Sequence, residues 1–297
     1  MKIILAGGSG FLGRALATRL QRDGHAVTNL SRHPRPGVDA DLPWKPDGTA
    51  GQWATALDGA DAVINLAGAG IADHRWTEER KRTLRSSRVL ATRSVVTAIR
   101  QVARPPALLV NGSAVGYYGA RGAEVVTEAT SPGADFLSDL CAEWEREAEQ
   151  ASPVLRVALL RTGLVLHPQG GVLEKILLPF RIGVGGRLGS GSQYMPWIHL
   201  DDWVEMVVWL IANHTARGAF NATAPTPVTN AEFTRALARA VHRPAFLPVP
   251  GFGLRLALGE FANSVLVGQR AIPARAAELG FEFRFQTIDA ALADLLR

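Results

Sequence analysis

Through the first half of the chain, short apolar runs alternate with longer stretches whose apolar positions recur at three- and four-residue spacing. The short runs at 2–6, 25–30, 62–67, 107–112 and 155–161 predict strands, and the amphipathic stretches at 11–22, 77–101 and 136–150 predict helices. Strands that alternate with helices in this way imply βαβ units on a parallel sheet. Thr77 suits the N-cap of the second helix, and Glu78 and Glu79 in its first turn complement the helix dipole. On the third helix, Glu143, Glu145, Glu147 and Glu149 with Arg146 predict a solvated face, and Cys141 and Trp144 a buried one.

After Arg161 the pattern changes. Residues 167–198 are rich in glycine and lack regular periodicity, which predicts an excursion from the sheet. Residues 199–213 predict another helix, 218–224 another strand, and Thr229 or Asn230 can cap a helix that runs through Val241. Pro244, Pro248, Pro250 and Pro273 divide the remainder into short helical pieces. The expected fold is α/β, a Rossmann-type doubly wound parallel sheet with a smaller C-terminal substrate lobe. Residues 1–166 with 199–224 would form the nucleotide-binding unit, and 167–198 with 225–297 the substrate lobe, including a C-terminal portion at 248–295. Trp76, Trp197, Trp203 and Trp209 are expected in the core, with Trp197 also a candidate for lining the cleft.

At 297 residues with 47% hydrophobic and 20% charged residues, the chain has the balance of a soluble globular protein. It contains no apolar run of membrane-spanning length, so no membrane partner is expected. The opening MKIILAGG leads straight into a strand, so no cleaved leader is expected. The lone Cys141 excludes an intrachain disulfide and fits a reducing compartment, which makes the cytoplasm the expected location. The net charge of +5 is concentrated in residues 75–104, where nine Arg and Lys stand against two acids. These cations scatter around a helix rather than forming one stripe with interleaved aromatics, so nucleic-acid binding is not the favoured reading.

The chemistry begins at Gly7-Gly8-Ser9-Gly10-Phe11-Leu12-Gly13, which follows a strand and opens a helix. In that context Gly7 permits a tight turn, Gly10 lets a pyrophosphate approach the backbone, and Gly13 allows close helix–strand packing. Free amides at the helix N-terminus favour phosphate. The end of the second strand selects the dinucleotide: a carboxylate there suits the ribose hydroxyls of NAD, whereas a cation suits a 2′-phosphate. Here the sequence reads Asn29-Leu30-Ser31-Arg32-His33, with no acid. Ser31 and Arg32 therefore favour NADP(H).

These residues resemble the extended short-chain dehydrogenase/reductase family, the NAD(P)-dependent epimerase/dehydratases, in an epimerase-like branch with a short extra C-terminal domain. Four further stretches carry the resemblance: 61–68 with Leu66-Ala67-Gly68 at its end, 111–119 with Ser113, 189–193 followed by 197–202, and 250–283. The resemblance implies that Gly7, Gly10, Phe11, Leu12, Gly13, Ser31, Arg32, Leu66, Ala67, Gly68 and Ser113 line a cofactor. It also implies a catalytic Ser or Thr, with Tyr and Lys spaced Y-x-x-x-K on one helix. At the corresponding place stand Phe136 and Leu140, and no Tyr anywhere has a Lys four residues on. Alignment on Tyr118-Gly119 puts Ala114 at the hydroxyl position, with Ser113 one residue early. Ser113, Tyr117 and Tyr118 are the candidate catalytic residues, with His199 a further candidate or a structural histidine.

Nucleotide-sugar members of the family place an Arg where Met195 stands here, which disfavours that substrate class; Arg181 or Arg187 could hold another anion. Asp73, His74 and Arg75 fall at the sheet edge where ligands bind. There is no H-E-x-x-H, C-x-x-C or G-x-S-x-G elbow, so no metal is expected. Two functions remain open. One is an NADP-dependent oxidoreductase or epimerase-like enzyme acting on a small carbonyl or hydroxyl compound, with a homodimer allowed. The other is a non-catalytic NADP(H)-binding sensor or interaction module.

Overall fold

The computed structural model describes the whole chain apart from residues 36, 38 and 39. In chain order it forms β1 (Lys2–Ala6), α1 (Phe11–Arg22), β2 (Ala26–Ser31), β3 (Asp41–Pro43), β4 (Ala62–Asn65), α2 (Glu78–Gln101), β5 (Leu108–Ala114), β6 (Val125–Val126), α3 (Phe136–Glu149) and β7 (Arg156–Thr162). There follow β8 (Leu164–His167), α4 (Gly171–Arg181), β9 (Tyr194–Met195), β10 (Trp197–His199), α5 (Leu200–Ala212), β11 (Gly218–Ala222), β12 (Val228–Thr229) and α6 (Asn230–Ala240). The chain ends through α7 (Gly251–Leu258), α8 (Phe261–Val267), β13 (Arg270–Ala271), α9 (Ala274–Glu278) and α10 (Ile288–Leu295).

Seven of these strands make one parallel sheet in the order β11-β7-β5-β4-β1-β2-β3. This is the Rossmann-like α/β arrangement. Strand order reverses between β1 and β4, and at such a switch point a crevice opens outside the carboxyl ends of the strands. Both faces of the sheet are covered, which is why its strands read as continuous apolar runs. Ile3, Leu5, Ile64 and Val110 share a core with Leu16, Leu20, Trp203 and Val207 of α1 and α5. Ile4, Val63, Leu109 and Leu159 share the opposite core with Ala91, Val95 and Ile99 of α2.

The elements expected in the first half form within two residues of their expected ends. Residues 167–198 differ from expectation, because they contain α4. Its buried Leu173, Leu177 and Phe180 keep helical spacing, but Pro179 inside it and glycines before and after it disguise the pattern. This helix, α6 and α10 enclose a third core with Met195, Trp197, Phe233 and Leu292. Trp197 is fully buried, and its Nε1 donates to the Thr226 carbonyl at 3.1 Å, so it does not line the cleft.

The C-terminal segment is fastened to the carboxyl edge of the sheet. β13 pairs with β6, Asn221 Nδ2 donates to the Ile272 carbonyl at 2.9 Å, and Gln269 Nε2 to that of Gly119 at 2.9 Å. The basic character of α2 is compensated in part, three of its seven cations being paired: Arg85 with Glu143 at 2.7 Å, Arg93 with Glu147 at 2.9 Å and Lys81 with Glu260 at 2.6 Å. Among the described residues no helix is long and apolar enough to cross a membrane.

Candidate functional site

Gly7 adopts φ +86°, and a Cβ on it would stand 2.8 Å from the Leu66 carbonyl, where the exit of β4 presses against that of β1. A Cβ on Gly13 would stand 2.2 Å from the Gly7 oxygen, and one on Gly8 2.2 Å from Asn29 Oδ1. Gly10 is different: the nearest atom to its Cβ position is the Gly7 oxygen at 3.3 Å. Backbone contacts therefore require Gly7 and Gly13 for the fold itself, a Cβ on Gly8 would have to displace the Asn29 side chain, and Gly10 leaves room at the mouth of α1. No side chain caps α1, so its first-turn amides and positive dipole end remain available to an anion. Phe11 lies against Gly170 and its ring centre is 5.9 Å from that of His167, so the start of the excursion folds over this turn. Leu12 packs its side chain into the core and can offer only its amide to a ligand.

At the end of β2 the Ser31 Oγ accepts the His33 N–H at 3.2 Å, which leaves its own proton free to donate. Arg32 is exposed and forms no ion pair among the described residues. Asp41, which begins β3, comes alongside: it accepts from Asn29 Nδ2 at 3.0 Å. Sequence order alone did not bring it here. The Arg35 guanidinium grips both its oxygens at 2.7 and 2.9 Å and holds its carboxyl well below the usual range.

A buried polar chain occupies the ends of β5, β7 and β11. Ser113, Arg161 and Asn221 are register neighbours, so their side chains share one face of the sheet, the face that α3 covers. Ser113 Oγ donates to Glu145 Oε1 at 2.6 Å, and Arg161 donates from Nε and Nη2 to the two Glu145 oxygens at 2.8 Å each. Arg161 Nη1 also donates to the Tyr118 hydroxyl at 3.0 Å, which in turn donates to Asn221 Oδ1 at 2.7 Å. The Arg161 and Glu145 side chains are only 5% and 7% exposed. Burial opposes the Arg161 charge, but hydrogen bonds and attraction to Glu145 overcome it and raise the guanidinium above its ordinary value.

This chain corrects three expectations. Glu145 does not belong to a solvated face. Tyr118 has no exposed surface, both its hydroxyl interactions are internal, and burial pushes it up to about 12, so it is not placed to give a proton to a ligand. The Ser113 proton is already directed at Glu145. Tyr117, in the turn after β5, is half-buried, with the Arg161 guanidinium 3.5 Å from its ring centre and its hydroxyl outside the chain.

Phe136 and Leu140 do not face Ser113 either. They pack with Trp76 and Leu84. The part of α3 that meets the end of β5 carries Leu137, against Gly116, and Cys141, beside Ser113 and Ala114. Burial pushes the Cys141 thiol up to about 12. Neither the Phe136/Leu140 pair nor the Leu137/Cys141 pair supplies a phenol and an amine.

The remaining candidates separate clearly. His199 caps α5, its Nδ1 accepting the Asp201 N–H at 3.0 Å and its ring stacking on Phe285 at 3.9 Å, and burial lowers its pKa. It holds the fold. Met195 is buried with its sulfur 3.3 Å from Asn230 Nδ2. Asp73, His74, Arg75, Arg181 and Arg187 are exposed. Among the described residues no group of three metal-ligating side chains occurs.

A switch-point crevice with an uncapped helix N-terminus and a glycine turn defines a Rossmann-type dinucleotide-binding protein. Residues 3–222 match the NAD dependent epimerase/dehydratase family, and residues 249–295 match a domain of unknown function, DUF1731. The chain belongs to the NAD dependent epimerase/dehydratase family. It is 44% identical over 295 residues to the epimerase family protein Mb2239 of Mycobacterium bovis, covering 98% of this chain and 96% of that one. A crystal structure of human epimerase family protein SDR39U1 (isoform 2) with NADPH superposes with a TM-score of 0.93 at 34% identity, covering 100% of this chain and 99% of that one. A Corynebacterium glutamicum structure described as a nucleoside-diphosphate sugar epimerase has a TM-score of 0.82 at 33% identity, covering 100% of this chain and 58% of that one.

Proposed function

We propose that this protein binds NADP(H) and works as an oxidoreductase or epimerase-like enzyme on a small carbonyl or hydroxyl compound. The observation that carries the cofactor reading is the pairing of two anion sites on one crevice edge. The α1 amides can take the pyrophosphate, and Ser31 and Arg32 the 2′-phosphate, while Asp41, the carboxylate that comes alongside β2, is occupied by Arg35. The human relative crystallised with NADPH supports the same assignment. Replacing Arg32 by Ala is expected to weaken NADPH by roughly 10–100-fold, the worth of a charge-assisted hydrogen bond, and NADH by less than about twofold. Equal losses for both, measured by calorimetric titration, would sink the 2′-phosphate assignment.

The nicotinamide ring, when bound, supplies or accepts the hydride. What the chain must add is orientation and a proton. With Ser113 committed to Glu145 and Tyr118 sealed inside, Tyr117 is the candidate whose hydroxyl makes no hydrogen bond among the described residues, and the Arg161 guanidinium lies against its ring. The buried Met195 gives no cation for a diphosphate, which favours a substrate other than a nucleotide-sugar. A Tyr117→Phe protein should keep NADPH affinity within about twofold while its turnover drops roughly 100-fold or more, the usual scale of general acid catalysis. If the unaltered protein binds NADPH but oxidises it with no carbonyl compound in a broad panel, the sensor reading takes over. That second reading rests on the absence of a phenol–amine pair on α3.

A further inference from the structure

The adenine half of the cofactor is fixed, on the reading above, toward β2, and the pyrophosphate at α1. The nicotinamide half must then extend the other way from the switch point, over the ends of β4 and β5. At that place α3 offers the neutral, buried Cys141 and no cation. A cation nevertheless arrives, from α2. The Arg88 guanidinium carbon would be 3.1 Å from a Cβ on Gly68, in the segment leaving β4. It donates from Nη1 to the Leu84 carbonyl at 3.1 Å and from Nη2 to that of Ala69 at 3.0 Å, and lies 5.3 Å from the Trp144 ring.

What is unusual is its charge. Arg88 is half-buried and makes no ion pair among the described residues; burial lowers its pKa, and the neighbouring Arg80 lowers it further. Arg80 itself donates to the Gly70 carbonyl and has a buried Nε without a partner. Asp73 folds its carboxylate against Gly70 but pairs with neither guanidinium. A half-buried guanidinium with no counter-charge beside it can take a further anionic or hydroxyl partner. Hydrogen bonds to two carbonyls leave three of its five donors for a ligand.

We propose that Arg88 holds the nicotinamide-ribose half of the cofactor, through the ribose hydroxyls and the adjoining phosphate, in place of a lysine on α3. The assignment rests on the NADP(H) reading, and one experiment tests the two apart. NADPH and adenosine 2′,5′-bisphosphate, which carries only the adenine half, are titrated calorimetrically into the unaltered protein, Arg88→Met and Arg88→Lys. Arg88→Met should weaken NADPH at least about tenfold and leave the bisphosphate within about twofold. Arg88→Lys should fall between the unaltered protein and Arg88→Met for NADPH. Retained bisphosphate binding shows that the altered protein is folded. NADPH binding unchanged in Arg88→Met, or an equal loss of both ligands, overturns the role of Arg88. Failure of the unaltered protein to bind either ligand overturns the cofactor reading, and this assignment with it.

Discussion

An Arg161→Met protein is expected to lose about 3–5 kcal/mol of stability, because it strands the Glu145 carboxylate in the interior with Ser113 as its remaining donor. For a chain of this size that corresponds to a fall in Tm on the order of 10 °C. The loss is not the worth of the ion pair. It is the penalty of one buried charge left alone, since both partners had to give up water to form the pair. An Arg161→Met/Glu145→Met double variant should therefore recover more than half of it, even though it lacks the pair altogether. The Tyr118 hydroxyl would still keep its bond to Asn221 in both variants. Thermal and urea unfolding of the two proteins decide the matter. A single variant that costs under about 1 kcal/mol, or a double variant no better than the single, would mean that water reaches this pair.

Glu145 is internal by its place on the helix even though its neighbours are acidic. Ser138, Cys141, Glu145 and Ala148 fall on one stripe at helical spacing, and all are buried. The surrounding acids at 143, 147 and 149 drew Glu145 into a polar face by composition, although its position on the wheel is internal. A second signal was available in Arg161, a cation at the end of the apolar run 155–161 of a strand covered on both faces. Two opposite charges in core positions of adjacent elements imply each other. The glycine turn was legible for the opposite reason: the contacts of Gly10 and Gly13 lie within the turn itself, and strand–turn–helix geometry dictates them, although Gly7 also meets Leu66 of the β4 exit. The excursion was not, because no side chain caps α4, Pro179 interrupts its pattern, and the core its Leu173, Leu177 and Phe180 join is completed by residues far along the chain, such as Phe233 and Leu292. Likewise nothing in local sequence said that Phe261 would pack on Trp76, or that Arg88 would cross from α2 to the end of β4. Such long-range placements decide what the site offers a ligand.

The glycines allow fold and binding to be separated by experiment. A Gly13→Ala protein puts a methyl carbon 2.2 Å from the Gly7 oxygen, and backbone on both sides leaves no flexible side chain to yield. The first turn of α1 must move away from β1. Overpacking of this kind costs about 1–3 kcal/mol, and it also displaces the amides meant for phosphate, so NADPH affinity should fall by roughly 100-fold or more. Gly10→Ala should behave differently. Its methyl group meets the Gly7 oxygen at 3.3 Å, a contact that a shift of a few tenths of an ångström relieves, so Tm should move by less than about 2 °C. Yet the methyl stands at the mouth of the helix, where a pyrophosphate needs bare backbone, and NADPH affinity should still fall at least about tenfold. Thermal unfolding and NADPH titration of both proteins give four values to compare. A Gly10→Ala protein that keeps full affinity would place the phosphates elsewhere, and would remove the structural basis for reading this crevice as a dinucleotide site.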